Sequence, residues 1–330
     1  MCILFCYLQN DNIDIGYDLI LLSNRDEDFQ RPAKQAHVWK DTKYALGGQD
    51  VTPLREGGTW LCLNTVQSRI GILLNLSSHL LEEKNINAQS RGFIVSNYVN
   101  NPEINLDTYM DELQKTKTNY TGFNFLGLEQ QSESKGKITE TSILSFPISP
   151  SPYGLFYINR KWRAKYINNV SPDSSAIEIN TSVFGFSNHI YGDQYAFEKT
   201  RYGCQLFKTF LANLTDNYTK PITDEKALIH QTFDLLNDNK IFPDDPNIAT
   251  IYSHYSISNR HQISSINVRT TDDSPTYGTR TSTVILIRRN QTGLFIEKTL
   301  SNPLINPLEW TENRWHFKLY NMNEPPILIN

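Results

Sequence analysis

The sequence predicts an α+β fold of four layers: two antiparallel sheets stacked face to face, with helices outside both, an αββα sandwich. Three observations predict it. Along the chain, strand-like runs give way to helical periodicity and then return. Residues 2–8 and 19–22 are apolar on both strand faces, which suits strands buried from two sides. No Gly-x-Gly-x-x-Gly or phosphate-binding loop is present, so a doubly wound nucleotide fold has no support. Without a composition break or an internal repeat, residues 1–330 read as one domain.

Taken in order, residues 2–8 and 19–22 form an antiparallel hairpin across the polar stretch Gln9 to Asp14. A turn centred near Asn12 sets Cys2 opposite Ser23, close to a packed set of charges, Arg25-Asp26-Glu27-Asp28. Val38-Trp39 and Tyr44 to Leu46 are short strands, and Thr59 to Asn64 and Ile70 to Asn75 form a second hairpin. Ser90 caps a helix that Pro102 ends. Asn105 caps another, whose Leu106, Tyr109, Met110 and Leu113 fall at i, i+3, i+4 and i+7. Strands follow at Phe123 to Leu128, Thr141 to Phe146 and Gly154 to Ile158, then at Val183 to Asn188. A helix carrying Leu206, Phe207, Phe210, Leu211 and Leu214 on one face precedes another from Thr223 to about Asn237. Pro243 and Pro246 mark a loop. Ile263 to Val268, Tyr277 to Arg288 and Gly293 to Leu300 read as strands, with Trp310 to Tyr320 as a closing segment.

Composition narrows the function. Apolar residues make up 39% and charged residues 20%, so the chain can bury a core. A net charge of -4 leaves no basic footprint for nucleic acid. No apolar run reaches the ~20 residues of a membrane span, and the apolar start lacks the basic flank of a signal peptide. Four scattered cysteines make neither a disulfide scaffold nor a metal site, so the chain reads as soluble and cytoplasmic.

The chemistry-bearing residues each have two readings. Removal of Met1 would leave Cys2 with a thiol and a free α-amine, ordinarily near ~7.7–8.0, able to serve as base for its own thiol. Otherwise Cys2 is an inert strand cysteine. Arg25 beside such a terminus would favour the thiolate and Asp28 would hold the amine; otherwise both belong to a solvated turn. Asn75 and Asn188 end apolar strands, where an amide can donate to an oxyanion or simply make a turn. Arg280, early in a β-branched strand, steadies an anionic group or lies on the surface.

An ordered set of segments joins these residues. Met1-Cys2-Ile3, Asn24-Arg25-Asp26-Glu27, Gly58-Thr59-Trp60-Leu61, Ile72 to Asn75, Ser90-Arg91-Gly92, Gly122-Phe123-Asn124, Phe186-Ser187-Asn188 and Tyr277-Gly278-Thr279-Arg280-Thr281 resemble the NRDE family, also called the transport and Golgi organisation protein two family. The resemblance runs from residue 1 to about residue 285. It implies the fold of the amino-terminal-nucleophile hydrolases, in the cysteine branch that includes bile-salt and penicillin-V amidases. Carried over by position, the catalytic set becomes Cys2, Arg25, Asp28, Asn75, Asn188 and Arg280. It also implies a role in Golgi organisation, secretion and haem or lipid (acyl-CoA) handling, with Golgi or mitochondrial association. Two mechanisms follow: Cys2-dependent hydrolysis of an amide or thioester, which requires no cofactor, or carriage of haem or an acyl ligand without turnover.

Overall fold

In the computed structural model, the described residues are 1–9, 15–76, 80, 87–132, 160–192, 196–216, 225–270, 277–302 and 309–329. The expected strands Thr141 to Phe146 and Gly154 to Ile158 lie outside this set. Among the described residues the strands form two seven-stranded sheets in which every strand pairing is antiparallel.

The first sheet is organised around a hairpin, β1 (Ile3–Leu8) and β2 (Tyr17–Asp28). β10 (Val183–Ser187) flanks β1. Beyond β2 lie β11 (Tyr277–Arg288), β12 (Thr292–Asn302), β13 (Glu309–Lys318) and the short edge strand β14 (Ile327–Ile329). The second sheet runs in chain order: β3 (Ala33–Val38), β4 (Ala45–Asp50), β5 (Leu61–Asn64), β6 (Arg69–Asn75), β7 (Phe123–Ser132), β8 (Arg160–Asn168) and β9 (Ile177–Glu178).

Alternation along these strands makes three apolar layers. Leu4, Cys6, Leu19 and Leu21 face Leu61, Leu63, Ile72 and Leu126 between the sheets. The opposite faces of β1 and β2 carry Ile3, Phe5, Ile20 and Leu22, covered by Phe207 and Leu211 of α3 (Glu198–Asp216) and Phe233 of α4 (Glu225–Leu236). On the far side of the second sheet, α1 (Gly92–Asn100) and α2 (Leu106–Thr116) pack Ile94, Tyr98 and Met110 against Phe123 and Phe125. Each large apolar side chain so enclosed contributes about 1.5–3 kcal/mol relative to exposure. The order is helix, sheet, sheet, helix.

Two helix starts differ in kind. Asn105 caps α2, its side chain accepting from the Thr108 amide at 2.9 Å. Asn105→Ala is expected to cost about 1 kcal/mol in urea denaturation; an unchanged midpoint would mean the cap carries no weight. At α1, by contrast, Arg91 rather than Ser90 occupies the cap position, and no side chain caps it. The reason is a close approach: a Cβ on Gly92 would lie 3.1 Å from the Gly58 Cα, and the Thr59 amide donates to the Gly92 carbonyl at 3.1 Å. Two of the sequence segments, around Gly58 and Gly92, are thus one contact.

The stretch from Ile263 to Val268, expected as a strand, is the end of α6 (Ile257–Ile263) followed by irregular chain. Three of its carbonyls are taken by side chains from distant elements. Lys199 Nζ donates to the Ile263 and Ser265 carbonyls, and Asn24 to that of Ile266. A further short helix, α5 (Pro246–Ile251), begins with Asp245 accepting from the Asn247 and Ile248 amides. Pro246 therefore starts a helix where only a loop was expected.

Candidate functional site

The charged tetrapeptide lies inside β2, where side chains alternate between faces. Asn24 and Asp26 point to the helical side. Asn24, fully buried, donates to the Leu236 and Ile266 carbonyls and accepts from Ser282 Oγ. Asp26 Oδ1 accepts from Thr279 Oγ1 at 2.6 Å, and Oδ2 lies 2.9 Å from the Met1 ammonium. Arg25 and Glu27 point the other way, into the gap between the sheets. Arg25 stacks on Trp60 of the second sheet, 4.1 Å from the ring, and reaches Glu27 at 3.3 Å. Glu27 also binds Arg31, which continues to Asp50 at 2.6 Å.

Registry brings the amino terminus to this motif. Ile3 pairs with Asn24, two positions further along β2 than a turn centred on Asn12 gives, so Cys2 falls beside Arg25 and Met1 beside Asp26. Met1 is buried among Phe197, Ile248, Ile251, Ile263 and Val268. Its ammonium also meets Tyr277 Oη at 2.6 Å, and its carbonyl accepts from Lys199 Nζ at 3.1 Å. Burial lowers the pKa of this amine, with Asp26 opposing the shift. Burial also pushes Lys199 down to about 8. The Cys2 thiol is raised, chiefly by burial, while the terminal charge acts to lower it.

Cys2, Arg25 and Asn75 line one cavity of about 650 Å³ between the sheet ends. Glu27, Arg31, Trp60, Leu73 and Arg91 share its wall. Asn188 stands behind: its amide nitrogen donates to the Asn75 carbonyl at 2.6 Å, tying the end of β10 to the end of β6. Four of the six expected residues lie at or directly behind this cavity. Cys2, Arg25 and Asn75 meet at the cavity, and Asn188 supports Asn75.

Asp28 and Arg280 do not reach it. Asp28 is exposed and its carboxylate accepts from the Gln30 amide, so Asp26, one strand period earlier, holds the terminus in its place. Arg280 sits in a bulge of β11 and donates to the Asp28 and Arg31 carbonyls, bracing the turn after β2. Sequence reasoning set Asp28 above its rival Asp26 for the aspartate role and missed Trp60, Arg91, Lys199 and Tyr277 as site residues. The signal available for Asp26 was the two-residue alternation of a strand.

Beside this site, Glu297 of β12 is buried between the sheets and accepts from the Ala36 amide of β3 and from Thr299 Oγ1. Burial raises its carboxyl to about 7. The folded state thus keeps a proton that the unfolded chain releases near ~4.5, and stability falls as pH rises from there to about 7. Glu297→Gln, which accepts the same bonds without ionising, should abolish that fall in urea midpoints measured from pH 4.5 to 8. Parallel curves for the two proteins would contradict it.

Comparison with known proteins places the chain in a family. A family model described as "Transport and Golgi organisation 2" matches residues 1–302. The Transport and Golgi organization protein 2 of Drosophila melanogaster is 31% identical over 305 residues, covering 91% of this chain and 93% of that protein. The Mus musculus homologue is 27% identical over 320 residues, with 97% and 99% covered, and the Homo sapiens homologue is 26% identical over the same span. No helix among the described residues is long and apolar enough to cross a membrane. On a family match running through every strand and helix that builds the cavity, this chain belongs to the Transport and Golgi organisation 2, or NRDE, family.

Proposed function

We propose that this protein acts in transport and Golgi organisation, the role its relatives' names carry, as a cysteine hydrolase of the amino-terminal-nucleophile type. One observation carries the chemical part of this reading: Cys2 opens onto a cavity beside Arg25 and Asn75. Removal of Met1 exposes the Cys2 α-amine, which takes the thiol proton. Sγ then bonds to the carbonyl carbon of an amide or thioester. The carbonyl electrons move to oxygen, where the Asn75 amide donates. The C–N or C–S bond breaks, the leaving group takes the proton, and water hydrolyses the thioester on Cys2 to release an acid. Arg25 favours the thiolate electrostatically, and Asn188 positions Asn75. This chemistry requires no cofactor.

A second reading is favoured by the burial of Met1 and the raised Cys2 thiol, both of which suit a site that binds without turnover. Under it the cavity carries haem or an acyl ligand, and Cys2 is the lining side chain of axial-ligand type. Labelling with a cysteine-reactive acyl probe separates the two readings. Hydrolysis expects a mature chain lacking Met1, acylated at Cys2 and unlabelled in Cys2→Ala. A mature chain that keeps Met1 excludes it, and saturable haem binding in that chain supports the carrier.

A further inference from the structure

Met1 fills a site of its own on the helical side of the first sheet. Its α-ammonium donates to Tyr277 Oη at 2.6 Å and lies 2.9 Å from Asp26 Oδ2, and its carbonyl oxygen accepts from Lys199 Nζ at 3.1 Å. Phe197, Ile248, Ile251, Ile263 and Val268 wall its side chain. None of these five lines the cavity between the sheet ends. The parts come from β2, β11, α3, α5 and the chain around α6, so the fold as a whole shapes this place.

Such parts suit an α-amino acid. A buried carboxylate and a hydroxyl take an ammonium, a buried cation takes the carboxyl end, and an apolar wall takes the side chain. Lys199 is fully buried and also donates to the Ile263 and Ser265 carbonyls, which fix its ammonium in position. Burial brings its pKa down to about 8, so it is mostly protonated at neutral pH. Excision of Met1 divides the arrangement at one bond. Water adds across the Met1–Cys2 amide: the C–N bond breaks, the carbonyl carbon gains an oxygen and becomes a carboxylate, and the Cys2 nitrogen becomes an ammonium. The carboxylate of methionine then faces Lys199 Nζ and the Cys2 ammonium, where an amide oxygen faced Lys199 alone. In the chain that begins at Cys2, an apolar hollow of side-chain size ends at Asp26 and Lys199. Close-packed interiors collapse only partly around such a hollow, and molecules of matching shape fill it.

We propose that the chain beginning at Cys2 binds a free apolar L-α-amino acid in the place that Met1 holds, its ammonium on Asp26 and Tyr277 and its carboxylate on Lys199 and the Cys2 ammonium. Methionine and amino acids of similar volume fill the wall, glycine leaves it unfilled, and lysine would bury a further charge. Ammonium, carboxylate and side chain are each anchored around one carbon, so the D form cannot seat all of them. The site lies apart from the Cys2 thiol chemistry and stands whether or not Cys2 turns over.

Calorimetric titration of both forms of the full-length chain tests it. One form bears Met1; the other begins at Cys2, released from an amino-terminal fusion by a protease that cuts before it. L-methionine should bind saturably to the form beginning at Cys2 and not to the form bearing Met1, where the chain fills its own site. D-methionine, N-acetyl-L-methionine and glycine should each bind at least about tenfold more weakly, having lost the hand, the charge that faces Asp26 or the side chain. Lys199→Gln, which keeps a donor for the neighbouring carbonyls but not the charge, should weaken L-methionine at least about tenfold. Should that variant not fold, the ligand series on the unsubstituted chain still decides. L-methionine that fails to bind the form beginning at Cys2, binds both forms alike, or binds no better than its D or N-acetyl form would overturn the proposal.

Discussion

In the chain that keeps Met1, Asp26→Asn is expected to destabilise the fold by about 3–5 kcal/mol, the scale for removing one partner of a buried ion pair. Asp26 is 2% exposed and the terminal ammonium it faces is equally enclosed. Asparagine keeps the bond from Thr279 but not the charge, and Oδ2 has no aligned hydrogen bond to fall back on. The ammonium would retain only Tyr277 as a polar partner. Asp28→Asn, at an exposed carboxylate, should change stability by less than about 0.5 kcal/mol. Urea denaturation of both variants decides the matter. Equal effects would mean that the terminus is not held as described.

If the proposed hydrolysis holds, Cys2→Ala should reduce it by at least about a thousandfold, since removing a nucleophile leaves only binding and oxyanion stabilisation. The change deletes one sulfur at a partly exposed position, so the urea midpoint should move little. The other cysteines cannot substitute. Cys6 and Cys62 are buried with thiols pushed well above their ordinary value, and Cys204 is raised to about 11 on the helical side of the first sheet. Turnover that survives in Cys2→Ala would transfer the chemistry to another group.

Much of the layering was legible because it depends on periodicity. The runs 2–8 and 19–22 announced a strand pair buried on both faces, and Leu106, Tyr109, Met110 and Leu113 all reach the core. The site was legible in part. Cys2, Arg25 and Asn75 converge as their positions suggested. Asp28 was chosen on a three-residue spacing from Arg25, whereas a strand puts residues two apart on one face. That alternation sends Asn24 and Asp26 to the helices and Arg25 and Glu27 to the cavity. The tetrapeptide thus has two jobs, one per face. Ile263 to Val268 was misread because β-branched residues favour a strand, while Lys199 and Asn24, distant in sequence, satisfy its carbonyls.

The central claim is that the amino terminus beside Asp26 and Arg25 is a reaction centre. Intact mass of the purified chain before and after the acyl probe tests it most directly. The account predicts a mature protein lacking Met1 that gains one acyl group on Cys2 and loses it again on standing in water. A chain that retains Met1, or an acyl group attached elsewhere, would contradict it.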